Sequence, residues 1–330
     1  MSFFSWLQNQ ISNRNPRGRG QHRRALRRFR PQMEALEDRW LPSTLTVINN
    51  LDSGLGSLRY EIDAAQSGDT IVFDKSLSGQ TINLGGYELL INKNLDIEGL
   101  GAGKLAISGG HQSRVFEVVA GVQVTIASLA IENGNGQYDN GFDPGAYDGY
   151  GGGILNRGTL TLSSCTVSAS SVSSAFRHGG GIDNFGGTLT VTGATLSGNS
   201  ATVGGGICNE FGGTLTLTGS TLSGNTADGG GGITNYGVAI VAQSTISKNT
   251  ANSTGGGIDN AGTLTLSGST VSQNAANGKD GYGGGIYNHG ILTILGSYVK
   301  SNHAQFGADL YNGGGSWSAD SNSSIGKIAP

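Results

Sequence analysis

Proline, cysteine and long apolar runs are all scarce in this sequence. Only five of the 330 residues are proline, and none lies between residues 145 and 329. Because proline cannot donate a backbone hydrogen bond, this region can form uninterrupted β-ladders. Two cysteines are too few for a disulfide-rich scaffold. No stretch of 18 apolar residues is present, so we expect no membrane-spanning helix.

Charge is also scarce, whereas glycine is abundant. Charged residues make up 13% of the chain, and 59 residues are glycine. Such a composition is typical of disordered or linker segments when it lacks a period. Here glycine triplets recur with phased Ile and Leu, which flexible linkers do not have. An Ile or Leu follows each small-residue cluster, at positions 154, 182, 207, 233, 258, 286 and 310.

This spacing predicts a solenoid. The steps between the phased residues are 28, 25, 26, 25, 28 and 24 residues, and a period of 20–50 residues favours a solenoid or propeller. In the repeat Gly204–Asp228, Ile207, the alternating Leu215 and Leu217, and Leu222 mark three short strands. A propeller blade needs four strands in about 40–50 residues. We therefore predict an all-β parallel β-helix of about eleven three-strand coils.

Two series of asparagines follow the same period. One stands two places after each phased Ile or Leu, and the other follows the third strand, at 199, 225, 249, 274 and 302. Stacked side-chain amides can hydrogen-bond along the solenoid axis and satisfy turn backbone groups. We interpret both series as structural ladders and not as catalytic groups.

The N-terminal region has a different composition. Residues 1–42 contain nine Arg and three acidic residues, a net charge of +6, which leaves −9 for residues 43–330. We assign residues 1–43 to a basic, mostly disordered export or targeting segment. An RNA-binding arm is the alternative, because of Arg17–Arg19 and Arg23–Arg30. No aromatic stacking surface accompanies these arginines, so we expect no nucleic-acid partner.

The β-helix is expected to occupy residues 44–320, followed by a tail over residues 321–330. Ser57 can cap a short helix near residues 57–66 that covers the open first coil. Residues 132–150 break the repeat and form a loop insertion with three carboxylates, Asp139, Asp143 and Asp148. These could hold Ca²⁺, although their spacing is neither that of an EF-hand nor of a calcium-binding nonapeptide. No cofactor is otherwise expected.

Several motifs resemble those of bacterial surface proteins. Met33–Ser43, MEALEDRWLPS, resembles the Leu-Glu-x-Arg signature found ahead of many extracellular proteins. DSGLGSLRYEI at 52–62, with GDTIVF at 68–73, is similar to the start of right-handed parallel β-helix, pectin-lyase-like domains. The GGGI-x-N and ST-[LV]-S-x-N phrases resemble repeats of the polymorphic outer-membrane-protein and adhesin types. The resemblance implies a right-handed β-helix and an extracellular or cell-surface location, but no particular activity.

Candidate functional residues lie on the outer face of the first strand. Asp183 and Glu210 form the one close acidic pair, which could act as catalytic acid and base in a lyase or hydrolase. Aromatic side chains on this face could instead stack on sugars or pack against a protein. The ligand-binding candidates are Phe185, Tyr236, Tyr287, His289 and Tyr311.

The expected function is therefore an extracellular or cell-surface structural and binding module, adhesin-like and non-catalytic. Its partner would be a polysaccharide or a surface protein. The alternative is a polysaccharide lyase or glycoside hydrolase that uses Asp183 and Glu210. His178, His289 and His303 lie in different phases of the repeat, so we do not expect them to bind one metal ion.

Overall fold

The computed structural model describes residues 41–136, 149–172 and 178–330. The described chain forms a right-handed parallel β-helix with three long sheets and one short sheet. Each coil crosses the three long sheets in turn. Strands of successive coils pair in parallel, as in Ile207–Asn209 with Ile233–Asn235. The predicted all-β solenoid is confirmed.

The sheets are defined by their strands over the described residues. Sheet 1 has eleven strands: Thr44–Val47, Asp69–Phe73, Leu95–Glu98, Gln123–Ala127, Thr159–Ser163, Thr188–Thr192, Thr214–Thr218, Val238–Ala242, Thr263–Ser267, Ile291–Leu295 and Ser316–Ala319. Sheet 2 has ten: Leu89–Ile91, Phe116–Val118, Ile154–Asn156, Ile182–Asn184, Ile207–Asn209, Ile233–Asn235, Ile258–Asn260, Ile286–Asn288, Leu310–Asn312 and Ile328–Ala329. Sheet 3 has ten: Gln80–Asn83, Leu105–Ser108, Ala130–Glu132, Thr166–Ser168, Thr195–Ser197, Thr221–Ser223, Thr245–Ser247, Thr270–Ser272, Tyr298–Lys300 and Ser324–Ile325. Sheet 4 has four: Thr226–Gly229, Thr250–Thr254, Ala275–Ala276 and His303–Ala304.

The structure corrects the sequence prediction in two places. Sheet 4 is a fourth strand position that the three-strand repeat did not predict. Residues 321–330, expected to be a tail, instead add a strand each to sheets 3 and 2. The eleven strands of sheet 1 agree with the predicted number of coils. Residues 1–40 and 137–148 lie outside the described residues, so the export segment and most of the loop insertion stay predictions.

A short helix covers the first coil. The helix Leu58–Ala64 begins after Ser57, whose hydroxyl accepts a hydrogen bond from the backbone N–H of Tyr60 at 3.2 Å. Its buried residues, Leu58 and Ile62, are part of the hydrophobic core, as the predicted cap requires. A 3₁₀ turn, Lys75–Leu77, is the other helical element described. Neither is long and apolar enough to cross a membrane.

The phased residues form the core and both ladders. Ile207 and its equivalents are fully buried, and the Asn209 amide donates to the Asn235 side chain at 2.8 Å. The same bond joins every successive pair from Asn156 to Asn312, at 2.7–2.8 Å. The second ladder begins at Asn199, has bonds of 2.9–3.0 Å, and ends with Asn302 donating to Asp309. Both asparagine series are therefore structural.

The glycine triplets allow neighbouring coils to come close. Gly204 has φ +65°, a conformation that disfavours L side chains. A Cβ on Gly205 would lie 2.5 Å from the carbonyl oxygen of Thr226 and 2.6 Å from that of Gly231. Any other residue would push the coils apart at this corner, so the triplet is a steric requirement of the fold.

We expect Asn235→Ala to lower the free energy of unfolding by roughly 2–4 kcal/mol, because each neighbouring amide group left unpaired and buried costs about 1–3 kcal/mol. The measurement is urea unfolding followed by circular dichroism. Asn252 is exposed and outside both ladders, so Asn252→Ala should stay within about 0.5 kcal/mol of wild type. Equal losses in the two variants would contradict the structural role of the ladder.

Candidate functional site

Two rows of side chains meet on the face of sheet 2 that points away from the core. The first, the outer row, is the middle residue of each strand. It consists of Leu90, Glu117, Leu155, Asp183, Cys208, Thr234, Asp259, Tyr287 and Tyr311. The second, the pre-glycine row, is the residue before each glycine corner. It consists of Tyr150, His178, Val203, Gly229, Thr254, Tyr282 and Phe306.

Contacts between the two rows bury much of this face. Leu155, Asp183 and Cys208 have no solvent exposure, although they lie outside the hydrophobic core. The repeat pattern places these residues on an outer face but does not reveal their burial, because the pre-glycine row carries no periodic signal. Three groups of side chains follow one another along this face: an ion network, a mixed titratable cluster and an aromatic cleft.

The ion network lies at the N-terminal end. Arg114 is 1% exposed and forms ion pairs with Glu88 and Glu117. Its guanidinium also donates to the carbonyl oxygen of Tyr150 at 2.8 Å. Arg157 pairs with the other oxygen of Glu117 at 2.6 Å. Burial, together with the nearby charge of Glu117, raises the pKa of Glu88 to about 7, against the opposing effect of Arg114.

The mixed cluster consists of His178, Asp183, Cys208 and Glu210. One ligand atom from each side chain lies within 4.8 Å of the others. His178 Nδ1 is 2.5 Å from Glu210 Oε1, and the Cys208 thiol donates to the same oxygen at 3.1 Å. Asp183 and Cys208 are direct partners across sheet 2. The repeat period brings Asp183, Cys208 and Glu210 together. His178 belongs to the pre-glycine row, and the sequence did not predict that this row contacts the outer row.

Asp183 is the least satisfied polar group in the cluster. It is fully buried, and neither carboxyl oxygen has a hydrogen-bond partner within residues 41–136, 149–172 and 178–330. Burial, and then the charge of Glu210, raises the pKa of Asp183 well above its usual range. Burial likewise raises the pKa of the Cys208 thiol. Burial acts to raise the pKa of Glu210. Hydrogen bonds from His178 and Cys208 outweigh this effect and lower the pKa overall.

The five ligand-binding candidates fall into three separate groups. Phe185 packs edge-on against Tyr150, with ring centroids 5.3 Å apart. Tyr236 stacks on Phe211 at 5.0 Å, and burial raises the pKa of Tyr236 to about 12. The remaining candidates lie together at the C-terminal end. The sequence placed these candidates on one outer face, and the structure divides them into three clusters.

The C-terminal group forms an aromatic cleft. Tyr287 and Tyr311 stack with centroids 5.6 Å apart and planes 15° apart. Tyr282 lies edge-on to Tyr311 at 4.8 Å and stacks on Phe306 at 5.1 Å. Both Tyr282 and Phe306 belong to the pre-glycine row and were not identified from the sequence. The cleft has a volume of ≈ 500 Å³ and is lined by Tyr282, Tyr287, Tyr311, Asn312, Gly313, Gly314 and Pro330.

A polar pair borders the aromatic cleft. His289 lies 5.1 Å from the Tyr287 ring, and its Nε2 is 3.3 Å from Asp259 Oδ1. The other oxygen of Asp259 accepts from the Thr254 hydroxyl at 2.6 Å. The hydrogen bond with Asp259 raises the pKa of His289. Hydrogen-bonding groups therefore flank the stacked rings.

The weak calcium candidates, Asp139, Asp143 and Asp148, lie outside the described residues, so calcium binding there stays a prediction.

Comparison with family models finds no match, and comparison with curated proteins finds none either. Among solved structures, the chain is similar to pectate lyase Pel9A, with a TM-score of 0.52 and 13% sequence identity. The alignment covers 87% of this chain and 78% of the lyase. The fold is a pectin-lyase-like β-helix. At this identity the similarity shows the fold alone, since such folds carry many functions.

The ion network of this pectin-lyase-like β-helix predicts a pH dependence. Glu88 binds its proton more tightly in the folded chain than at its ordinary pKa of 4.5. This contribution to stability is therefore fully present below pH 4.5 and is lost as the pH rises through about 7. We expect Glu88→Gln to make the decline in unfolding midpoint between these pH values shallower.

The measurement is denaturant unfolding at a series of pH values across that interval. Glu98 is an exposed glutamate in sheet 1, and Glu98→Gln should keep the wild-type pH dependence. An unchanged slope in Glu88→Gln would contradict the assignment.

Proposed function

We propose that this protein is an extracellular or cell-surface binding module, adhesin-like and non-catalytic, that recognises polysaccharide at the C-terminal aromatic cleft. The observation that carries this proposal is the arrangement of Tyr282, Tyr287 and Tyr311 around an open cleft of ≈ 500 Å³. Ligand sites are typically concave, largely apolar and supplied with a few placed polar groups. This cleft combines three tyrosine rings with polar groups such as the Asn312 amide.

The chemistry of the cleft fits a sugar. A pyranose ring presents C–H groups that pack on aromatic faces and hydroxyls that need hydrogen-bond partners. The stacked rings of Tyr287 and Tyr311 can supply the faces, and the lining residue Asn312 can supply an amide. Asp259 and His289 add an acceptor and a donor beside Tyr287. An apolar peptide would leave these polar groups without partners.

The shape of the β-helix supports a structural role beside binding. Eleven coils stacked at about 4.8 Å give a rigid rod of roughly 50 Å along sheet 1. Its core and ladders are continuous, so the cleft is held on a stiff scaffold. The extracellular location rests on the resemblance of Met33–Ser43 to an export signature and on the net charge of −9 over residues 43–330.

Polysaccharide cleavage at Asp183 and Glu210 is the second candidate, favoured by the proximity of the two carboxyl groups. Their oxygens lie within 4.8 Å of each other, near the 5–5.5 Å separation of retaining glycosidases. However, Asp183 has no solvent exposure, so a polymer cannot reach it without displacement of its neighbours. The geometry therefore favours the binding module.

We expect Tyr287→Ala and Tyr311→Ala each to weaken glycan binding roughly two- to tenfold, because an aromatic contact contributes about 0.5–1.5 kcal/mol beyond its buried area. The ligand is first identified on a glycan array, and its affinity is then measured by calorimetry. Tyr298 is an exposed tyrosine on sheet 3, and Tyr298→Ala should bind as wild type does. An array without signal, or equal losses in all three variants, would refute the cleft as a glycan site.

Incubation with a panel of pectins and glycans should release neither unsaturated nor reducing sugars, since Asp183 is inaccessible. A pectate lyase assayed in parallel is the positive control. If the wild-type protein releases sugars and Glu210→Gln abolishes this release, the protein is instead a lyase or hydrolase.

A further inference from the structure

The cluster of His178, Asp183, Cys208 and Glu210 contains a buried carboxyl group that the fold does not explain. Both oxygens of Asp183 lack a hydrogen-bond partner throughout the part of the chain that the structure describes. Burying a polar group without a hydrogen bond is costly. The carboxyl lies among three other potential metal ligands, all within 4.8 Å of one another.

We propose that these four side chains form a structural Zn²⁺ site. Imidazole nitrogen, thiolate sulfur and carboxylate oxygen are the ligands that zinc takes in proteins. Calcium and magnesium bind oxygen ligands and would leave His178 and Cys208 unused. The donor set therefore selects a borderline transition metal, and not the Ca²⁺ considered for the 132–150 loop.

The separations fit a tetrahedral ion after small side-chain movements. Zinc bonds of about 2.0–2.3 Å place neighbouring ligand atoms roughly 3.3–3.8 Å apart. Glu210 Oε1 lies 2.5 Å from His178 Nδ1 and 3.1 Å from Cys208 Sγ, so both of these distances have to lengthen. The widest pair, at up to 4.8 Å, has to shorten by about 1 Å, which rotation of the His178 or Glu210 side chain can supply.

Charge also favours a dication here. In their ionised, metal-binding forms, two carboxylates and a thiolate within two adjacent coils would repel one another, and a dication would offset this repulsion. Arg114 is engaged with Glu88 and Glu117 and forms no hydrogen bond with Asp183, although its charge acts on that carboxyl group. A bound Zn²⁺ would give the Asp183 oxygens the partner that they lack.

The position of the site indicates a structural role. Asp183 and Cys208 belong to paired strands of consecutive coils, and His178 precedes the glycine corner of the first of them. Bound zinc would thus tie two coils and the pre-glycine row together. Four protein ligands fill a tetrahedral shell and leave no open position for substrate, which distinguishes structural from catalytic zinc. The site is separate from the aromatic cleft and does not depend on the proposed glycan binding.

The first test uses the full-length wild-type protein. After treatment with a chelator, it should bind one equivalent of Zn²⁺ in calorimetry, and its thermal midpoint should rise with added Zn²⁺ but not with Ca²⁺. With Co²⁺ in place of zinc, the thiolate should give a charge-transfer band in the near ultraviolet, with visible d–d bands of tetrahedral intensity. Absence of stoichiometric binding to wild-type protein would overturn the proposal.

Variants then identify the ligands. Cys208→Ser should lose the charge-transfer band, and Asp183→Asn should weaken metal affinity at least tenfold. Cys165 is the other free, buried cysteine and lies outside the cluster, so Cys165→Ser is the matched control and should keep the band and the affinity. His289→Ala should also bind the metal with wild-type affinity, although His289 pairs with a carboxylate.

Circular dichroism of each variant shows whether it folds, and the wild-type cobalt spectrum decides the thiolate ligand independently of any variant. Retention of the band in folded Cys208→Ser, or its loss in folded Cys165→Ser, would place the metal elsewhere and refute this site. A thermal midpoint that rises equally with Ca²⁺ and Zn²⁺ would exclude the proposed donor set.

Discussion

The stacking of equivalent side chains, one coil on the next, is the constraint on which the structure depends. In sheet 2 the inward Ile residues from Ile154 to Ile286 lie on one another, and each Asn amide from Asn156 to Asn288 donates to the Asn of the following coil. A buried amide without a partner is costly, so a coil that slipped by one residue would lose two ladders at once. The register is therefore specified by hydrogen bonds as well as by packing.

This register also determines where chemistry can occur. Residues about 25 positions apart become direct neighbours, as Asp183 and Cys208 do. A functional site in a β-helix is thus assembled from several coils, and each coil contributes one or two side chains. The variation that the repeat tolerates is confined to outward positions, since inward Ile and Asn are fixed by their neighbours. The ion network, the mixed cluster and the aromatic cleft are thus built around equivalent positions of different coils.

The pre-glycine row converts an outward strand face into partly closed sites. Where it supplies His178, the outer row is buried and rich in titratable groups. Where it supplies Tyr282 and Phe306, the same positions form an open aromatic cleft. One backbone arrangement thus provides a closed pocket suited to an ion and an open one suited to a ring-shaped ligand.

The sequence by itself determined the solenoid, its number of coils, the capping helix and both asparagine ladders. These features depend on interactions that repeat with the chain, so the spacing of Ile207, Asn209 and their equivalents contains them. The sequence also placed Asp183 near Glu210, because the repeat pairs Asp183 with Cys208 and Glu210 lies two residues after Cys208.

Only the tertiary structure decided which outward side chains are buried and which meet. His178, Tyr282 and Phe306 differ in type from coil to coil, so no period reveals their row. The contacts of His178 with Glu210, and of Tyr282 with Tyr287 and Tyr311, cross from one part of a coil to another. The last strands, Ser324–Ile325 and Ile328–Ala329, likewise follow from pairing with the coil before them and not from a repeat motif of their own. Asp183 is buried by neighbouring side chains whose positions cannot be read from the repeat pattern.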